Sequence, residues 1–168
     1  MASGNTLNTW FPQAAFFQAS GSYPAVKKRG AVPILAYDDT TDETAWFAGV
    51  MPRHYAGGGV TFTIGWMFRA SGTPGTDTCQ WEISFLRVQD DTDDLDGTLT
   101  PAAANTVLDT SASADGELSY AEIAFTDGAD MDSVAAGELF LIEVVRNAQT
   151  GTASPGDAEI VFIEMRET

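Results

Sequence analysis

Alternation of apolar and polar residues is the strongest signal in this chain. From Val60 to Arg69, the residues Val60, Phe62, Ile64, Trp66 and Phe68 share one face, and Thr61, Thr63 and Arg69 share the other. That is the period of two expected of a β-strand. Ahead of it, Glu43 to Val50 is a second apolar stretch, and Pro52 to Gly59 between them reads as a turn. The segment 43–70 is therefore expected to be strand, turn, strand. A strand with one aromatic face has to bury it against a second layer.

The same pattern recurs along the chain. Val32 to Tyr37 is a short strand starting around Pro33, which suits a strand start or an edge. In Thr78 to Val88, Cys79, Trp81, Ile83 and Phe85 alternate with polar residues, and Leu86 and Val88 then switch faces, as a bulge or a crossing between sheets would produce. Asn105 to Thr110 and Glu117 to Thr126 flank an Asp115-Gly116 turn and suggest a hairpin. Asp130 is placed to cap a helical turn that Gly137 ends. Glu138 to Arg146 and Asp157 to Arg166 close the chain as strands, the last apolar on both faces from Ile160 to Ile163. Gly21 to Gly30, 71–77 and 147–156 read as loops. About eight to ten short strands divided by turns, with almost no helix, indicate an all-β, antiparallel β-sandwich of jelly-roll type. The alternation puts Phe62, Ile64, Trp66, Trp81, Ile83, Phe85, Phe140, Ile142 and Phe162 between the sheets.

The opening segment is different in kind. Trp10, Phe11, Phe16 and Phe17 crowd into residues 1–22, which are otherwise rich in Asn, Thr, Gln and Ala and are interrupted by Pro12. Two readings stand: an edge strand packed on the sandwich of residues 23–168, or an arm that docks on a neighbouring subunit and can be removed without unfolding the rest. In the arm reading the interface residues are Trp10, Phe11, Phe16 and Phe17, joined by the basic cluster Lys27, Lys28 and Arg29.

Composition sets limits. A chain of 168 residues, 44% hydrophobic, suffices for one core. The formal charge is −16, from 24 acids and 8 bases. No base lies between Arg87 and Arg146. That balance opposes nucleic-acid binding, which needs a basic surface. No apolar run approaches the roughly 18–20 residues of a membrane span, and no signal-peptide pattern opens the chain.

Candidate chemistry is sparse, and the expectation is no catalytic residue, no metal and no cofactor. His54 is the single histidine and Cys79 the single cysteine, too few soft ligands for zinc. There is no nucleophile elbow. Gly57-Gly58-Gly59 precedes a strand and lacks a lysine, unlike a phosphate loop. The acidic run Asp90 to Asp96 fails the helix-loop-helix calcium register, because Thr92 and Ala103 fall where the first and twelfth ligands belong. A solvated loop is the reading preferred over a looser calcium site.

One resemblance adds to this reading. The stretch Asp38 to Phe47, then Val50-Met51-Pro52-Arg53-His54-Tyr55 with Gly57-Gly58-Gly59, is similar to a recurrent phage-encoded protein. So are Trp81 to Phe85, Gly137 to Phe140, and the closing stretches 156–159 and 164–168. The likeness spans about residues 30–168 and is carried mostly by strand and turn signals, with Met51 where leucine is usual. It implies a small jelly-roll virion component: a head decoration or cement protein, or part of a tail or fibre. The partners implied are other copies, as a homotrimer, and the major capsid protein, with neither nucleic acid nor membrane bound. The alternative on the same sandwich is a carbohydrate-binding attachment module, with Trp46, Tyr55 and Tyr120 as stacking candidates that compete with a core role.

Overall fold

A computed structural model describes residues 4–19, 21–69, 73–98, 100–148 and 156–168. The loops expected at 71–77 and 147–156 lie partly outside these residues. The described strands are β1 (Thr6–Trp10), β2 (Ala25–Arg29), β3 (Val32–Tyr37), β4 (Glu43–Val50), β5 (Val60–Phe68), β6 (Thr78–Val88), β7 (Asn105–Thr110), β8 (Ser119–Phe125), β9 (Leu139–Asn147) and β10 (Ala158–Glu167). They form two antiparallel sheets. Sheet A runs β2-β3-β10-β5-β8, with β1 also on β10, and sheet B runs β4-β9-β6-β7. The chain is a jelly-roll-like β-sandwich.

The aromatic face of β5 does what its alternation demands. Phe62, Ile64 and Trp66 are fully buried, and from sheet B so are Trp81, Ile83, Phe85, Phe140 and Ile142. Phe62 packs edge-on to Phe125, and Phe85 against both Phe125 and Phe140, with ring centroids 5.2–5.5 Å apart. Trp66 turns its indole N–H to Asp109 on β7, 2.7 Å away, tying the two sheets together. Arg146 is also buried. It donates to the carbonyls of Tyr37 and Gly156 and lies over the Phe68 ring.

Several local expectations give way. The segment 43–70 is an arch, because β4 lies in sheet B and β5 in sheet A. Residues 105–126 likewise bridge the sheets, with β7 in B and β8 in A. A polar turn that joins two strands does not reveal whether they pair. The ladder of β6 on β9 runs from Gln80 to Val88 without a register shift, so no bulge explains the switch at Leu86. Residues 25–29 are a strand, so Lys27, Lys28 and Arg29 sit on a sheet edge and not in a loop. The turn near Asp130 is a single 3-10 turn, Ala129–Met131, capped by no side chain. The carboxylate of Asp130 instead accepts from Thr126.

The opening segment belongs to the sandwich. One edge of β10 is shared: β3 pairs with Ala158–Ile160, and β1 with Ile163–Arg166. Trp10 is buried, within 6.1–6.4 Å of the Phe47, Phe62 and Phe140 rings. It cannot offer area to a partner, so its place in the expected interface is corrected to the core. The side chains of β1 and the chain that follows it cover the edge of β4. Asn8 and Trp10 donate to the carbonyls of Val50 and Ala48. Phe16 exchanges both backbone bonds with Trp46, and Thr44 donates to Ser22. Thr44, Trp46, Ala48 and Val50 each have a backbone group engaged on that edge, which hinders strand addition there.

Candidate functional site

A departure from regular sandwich packing shapes the outer face of sheet A. The pairing of β10 with β5 shifts register between Ile160 and Phe162. A bulge turns two successive side chains to one side. Ile160 and Ile163 both reach the core, while Val161 and Phe162 face outward. Phe162 is thus not a core residue, contrary to simple alternation. The signal available in the sequence was the unbroken apolar run 160–163, which an alternating strand does not need.

Phe162 pairs with Gly65 of β5, and Gly65 pairs on its other side with Tyr120 of β8. A Cβ on Gly65 would collide with the Phe162 ring. The missing side chain is what lets the aromatic ring lie down on the sheet. Tyr120 and Phe162 have centroids 5.9 Å apart at 52°, and Tyr120 is 58% exposed. Beside them run Thr63, Glu122, Glu164 and Arg166. Arg166 pairs with Glu122 and donates to Thr63 Oγ1 at 3.2 Å. The result is two adjoining aromatic rings on an open sheet, rimmed by hydrogen-bonding groups.

A groove of about 410 Å³ adjoins these rings, lined by Arg29, Val32, Met67, Gly116, Leu118 and Val161 among others. Met67 and Val161 pack with Ile34 and Ala36 in a small apolar layer on this outer face. Arg29 is held firmly. Its Nη1 donates to the Phe68 carbonyl and to Glu159, both at 3.0 Å. Glu159 is almost wholly buried and also faces Arg69 at 3.8 Å. A buried carboxylate needs such partners.

The other candidates are not assembled into a site. Trp46 is buried at the β4 edge beneath the opening segment. Tyr55 is buried too. Its hydroxyl donates to Asp127 and accepts from the Gly59 N–H, and burial together with Asp127 pushes its pKa up to about 12. Of the three expected stacking residues only Tyr120 is open. Phe11 and Phe16 are 55% and 41% exposed, and Phe17 stacks on Tyr23. Lys27 pairs with Asp157, while Lys28 is exposed.

His54 is exposed in the turn after β4. Cys79 is buried, and burial pushes its thiol up to about 12. In the acidic run, Asp93 and Asp94 accept from the backbone of Gln89 and Asp96, which organises the turn itself. The carboxylates of Asp38, Asp39 and Asp157 come within 4.8 Å of one another. They already take donors from Thr40 and Thr41, from Gly156, and from Lys27 respectively.

No family model matches the chain, and no curated protein does. Solved structures do. A carbohydrate-binding module described as specific for non-crystalline cellulose, CBM28, superposes with a TM-score of 0.51 at 8% identity, covering 93% of this chain and 89% of that one. The xylan-binding module CBM15 gives 0.46 at 11% identity, over 92% and 89%. Xylanase10C of Cellvibrio japonicus gives 0.48 at 10% identity, and there this chain spans only 26% of the other. At such identities the likeness is one of fold.

Proposed function

We propose that this chain is a non-enzymatic attachment module of a phage particle that holds a neutral polysaccharide on the outer face of sheet A. The observation that carries this reading is the exposed Tyr120 ring adjoining Phe162, which itself lies over Gly65. Aromatic rings have large apolar faces and can stack on the apolar side of a ligand, while Glu122, Glu164 and Arg166 supply hydrogen bonds around them. Net charge selects the ligand class. At −16, with two glutamates at the rim, the face repels polyanions and favours uncharged chains. The phage context comes from the sequence resemblance. Affinity electrophoresis through gels holding neutral polysaccharides tests the reading. The protein should be retarded by at least one of them, and Tyr120→Ala and Phe162→Ala should each weaken retention about tenfold, the effect of losing one stacking ring. Unretarded migration in every gel overturns it.

The second reading is a capsid decoration protein that associates as a homotrimer on the major capsid protein. It is favoured by Phe11 and Phe16, two exposed aromatics close to the sealed β4 edge. Sedimentation of the protein and its copy number on purified particles test it. A monomer present in a few copies removes it.

A further inference from the structure

We propose that the groove beside Tyr120 receives an acetyl substituent, so that the preferred ligand is an acetylated, uncharged glycan. The proposal rests on the polysaccharide reading of the Tyr120–Phe162 face and assigns the ligand class that face selects. Three observations carry it.

The groove lies next to the aromatic rings. Leu118 is two residues before Tyr120, just ahead of β8, Val161 adjoins Phe162, and Met67 is two residues beyond Gly65. A sugar stacked on the rings therefore directs a substituent onto Leu118, Met67 and Val161. That floor is apolar and offers a hydroxyl nothing, whereas a methyl group gains by leaving water there.

One wall carries a donor suited to a carbonyl. Arg29 Nη1 is engaged by Phe68 and Glu159, and Nη2 lies at the groove wall beside Gly116, where a Cβ would come within 3.2 Å of it. Among the described residues Nη2 has no partner of its own. A methyl on the floor with its carbonyl turned to Nη2 matches the two sides of the groove.

Net charge weighs against the competing occupant. A carboxylate would also suit a guanidinium, but Arg29 already has Glu159 at 3.0 Å, and the chain as a whole carries −16. An uncharged acyl group keeps the hydrogen bond without the repulsion.

Calorimetric titration of the intact protein with chitotetraose and cellotetraose tests this, because the two share a β-1,4 glucan backbone and differ in the 2-acetamido group. Acetylated mannan oligosaccharides and their alkali-deacetylated forms make a second pair. The acetylated member of at least one pair should bind about three- to tenfold tighter, the effect of burying one or two methyl-sized groups. In Leu118→Asp that ratio should fall to about one, and Val32→Ser, at another exposed wall position, should lower it independently. Equal affinities within each pair, or a ratio unchanged in both variants, overturn the acetyl groove and leave the aromatic face standing. Tighter binding of a carboxylated oligosaccharide overturns it in favour of an anion site. No binding of any member, together with unretarded migration in the gels, removes both readings.

Discussion

The ring of Phe162 lies against the backbone of Gly65, on the side where any other residue would carry its Cβ. The contact joins the centre of sheet A to the bulge in β10 and converts an apolar strand into an outward-facing ring. Gly65→Ala should therefore lift Phe162 off the sheet. We expect about 1–3 kcal/mol of destabilisation, the usual cost of overpacking, along with a loss of ligand retention. Urea unfolding and the affinity gels measure the two effects. A neutral Gly65→Ala with full retention would show that the ring does not need the glycine.

Cys79 is a buried core thiol on the same face of β6 as Trp81, and burial pushes its pKa up to about 12. A disulfide-exchange reagent at pH 8 should leave it untouched in the native protein and label it fully in urea. The linkage has a definite sign. An acid whose folded pKa is raised contributes stability below its ordinary value. That contribution is lost as pH climbs from about 8.5 towards the folded value. Cys79→Ala should flatten the alkaline fall in melting temperature. Rapid labelling of the native protein would contradict the assigned burial.

Glu138 accepts from Arg87 at 2.6 Å and from the Ala135 N–H at 2.7 Å, and these bonds, the first above all, hold its carboxyl below the usual range. The sign is opposite to that of Cys79. The contribution is complete above about pH 4.3 and disappears as pH falls through the lowered folded value. Both side chains are about a quarter exposed, so the effect is modest. Glu138→Gln should cost stability at pH 7 and little at pH 2, read from melting curves. An equal cost at both values would mean that packing, not charge, explains the substitution.

Much of the sandwich was legible because alternation is a local property. Phe62, Trp66, Trp81, Phe85 and Phe140 each sit in a strand whose pattern names its buried face. Pairing is not local. Nothing in the turn 52–59 or at Asp115-Gly116 distinguishes a hairpin from an arch between sheets, since both need the same polar, glycine-containing residues. The site was less legible still. It depends on a one-residue bulge at Val161 and on a glycine whose partner lies about a hundred residues away in sequence. Tyr120 was identifiable as an exposed aromatic candidate. Phe162 was not, because period two assigns it inward unless the extra residue is known.

The opening segment carries the last prediction. As a removable arm, residues 1–22 would leave a folded domain when deleted. Their placement argues otherwise. Deletion strips the partner of β10 from Ile163 to Arg166, takes Trp10 out of the core, and bares the β4 edge that Phe16 and Ser22 cover. Trp10→Ala alone should cost about 3–5 kcal/mol as a large-to-small core change. Domains of this kind have only about 5–15 kcal/mol in hand, and the exposed β4 edge would then template aggregation. We expect the protein lacking residues 1–22 to show no cooperative melting transition by circular dichroism and to sediment as aggregate. Phe11→Ser, at a residue 55% exposed, should stay within about 0.5 kcal/mol of the parent. That contrast separates Trp10 from its neighbour, which a partner-binding arm would use together. A truncated chain that melts at the parental temperature would return the segment to the role of an arm.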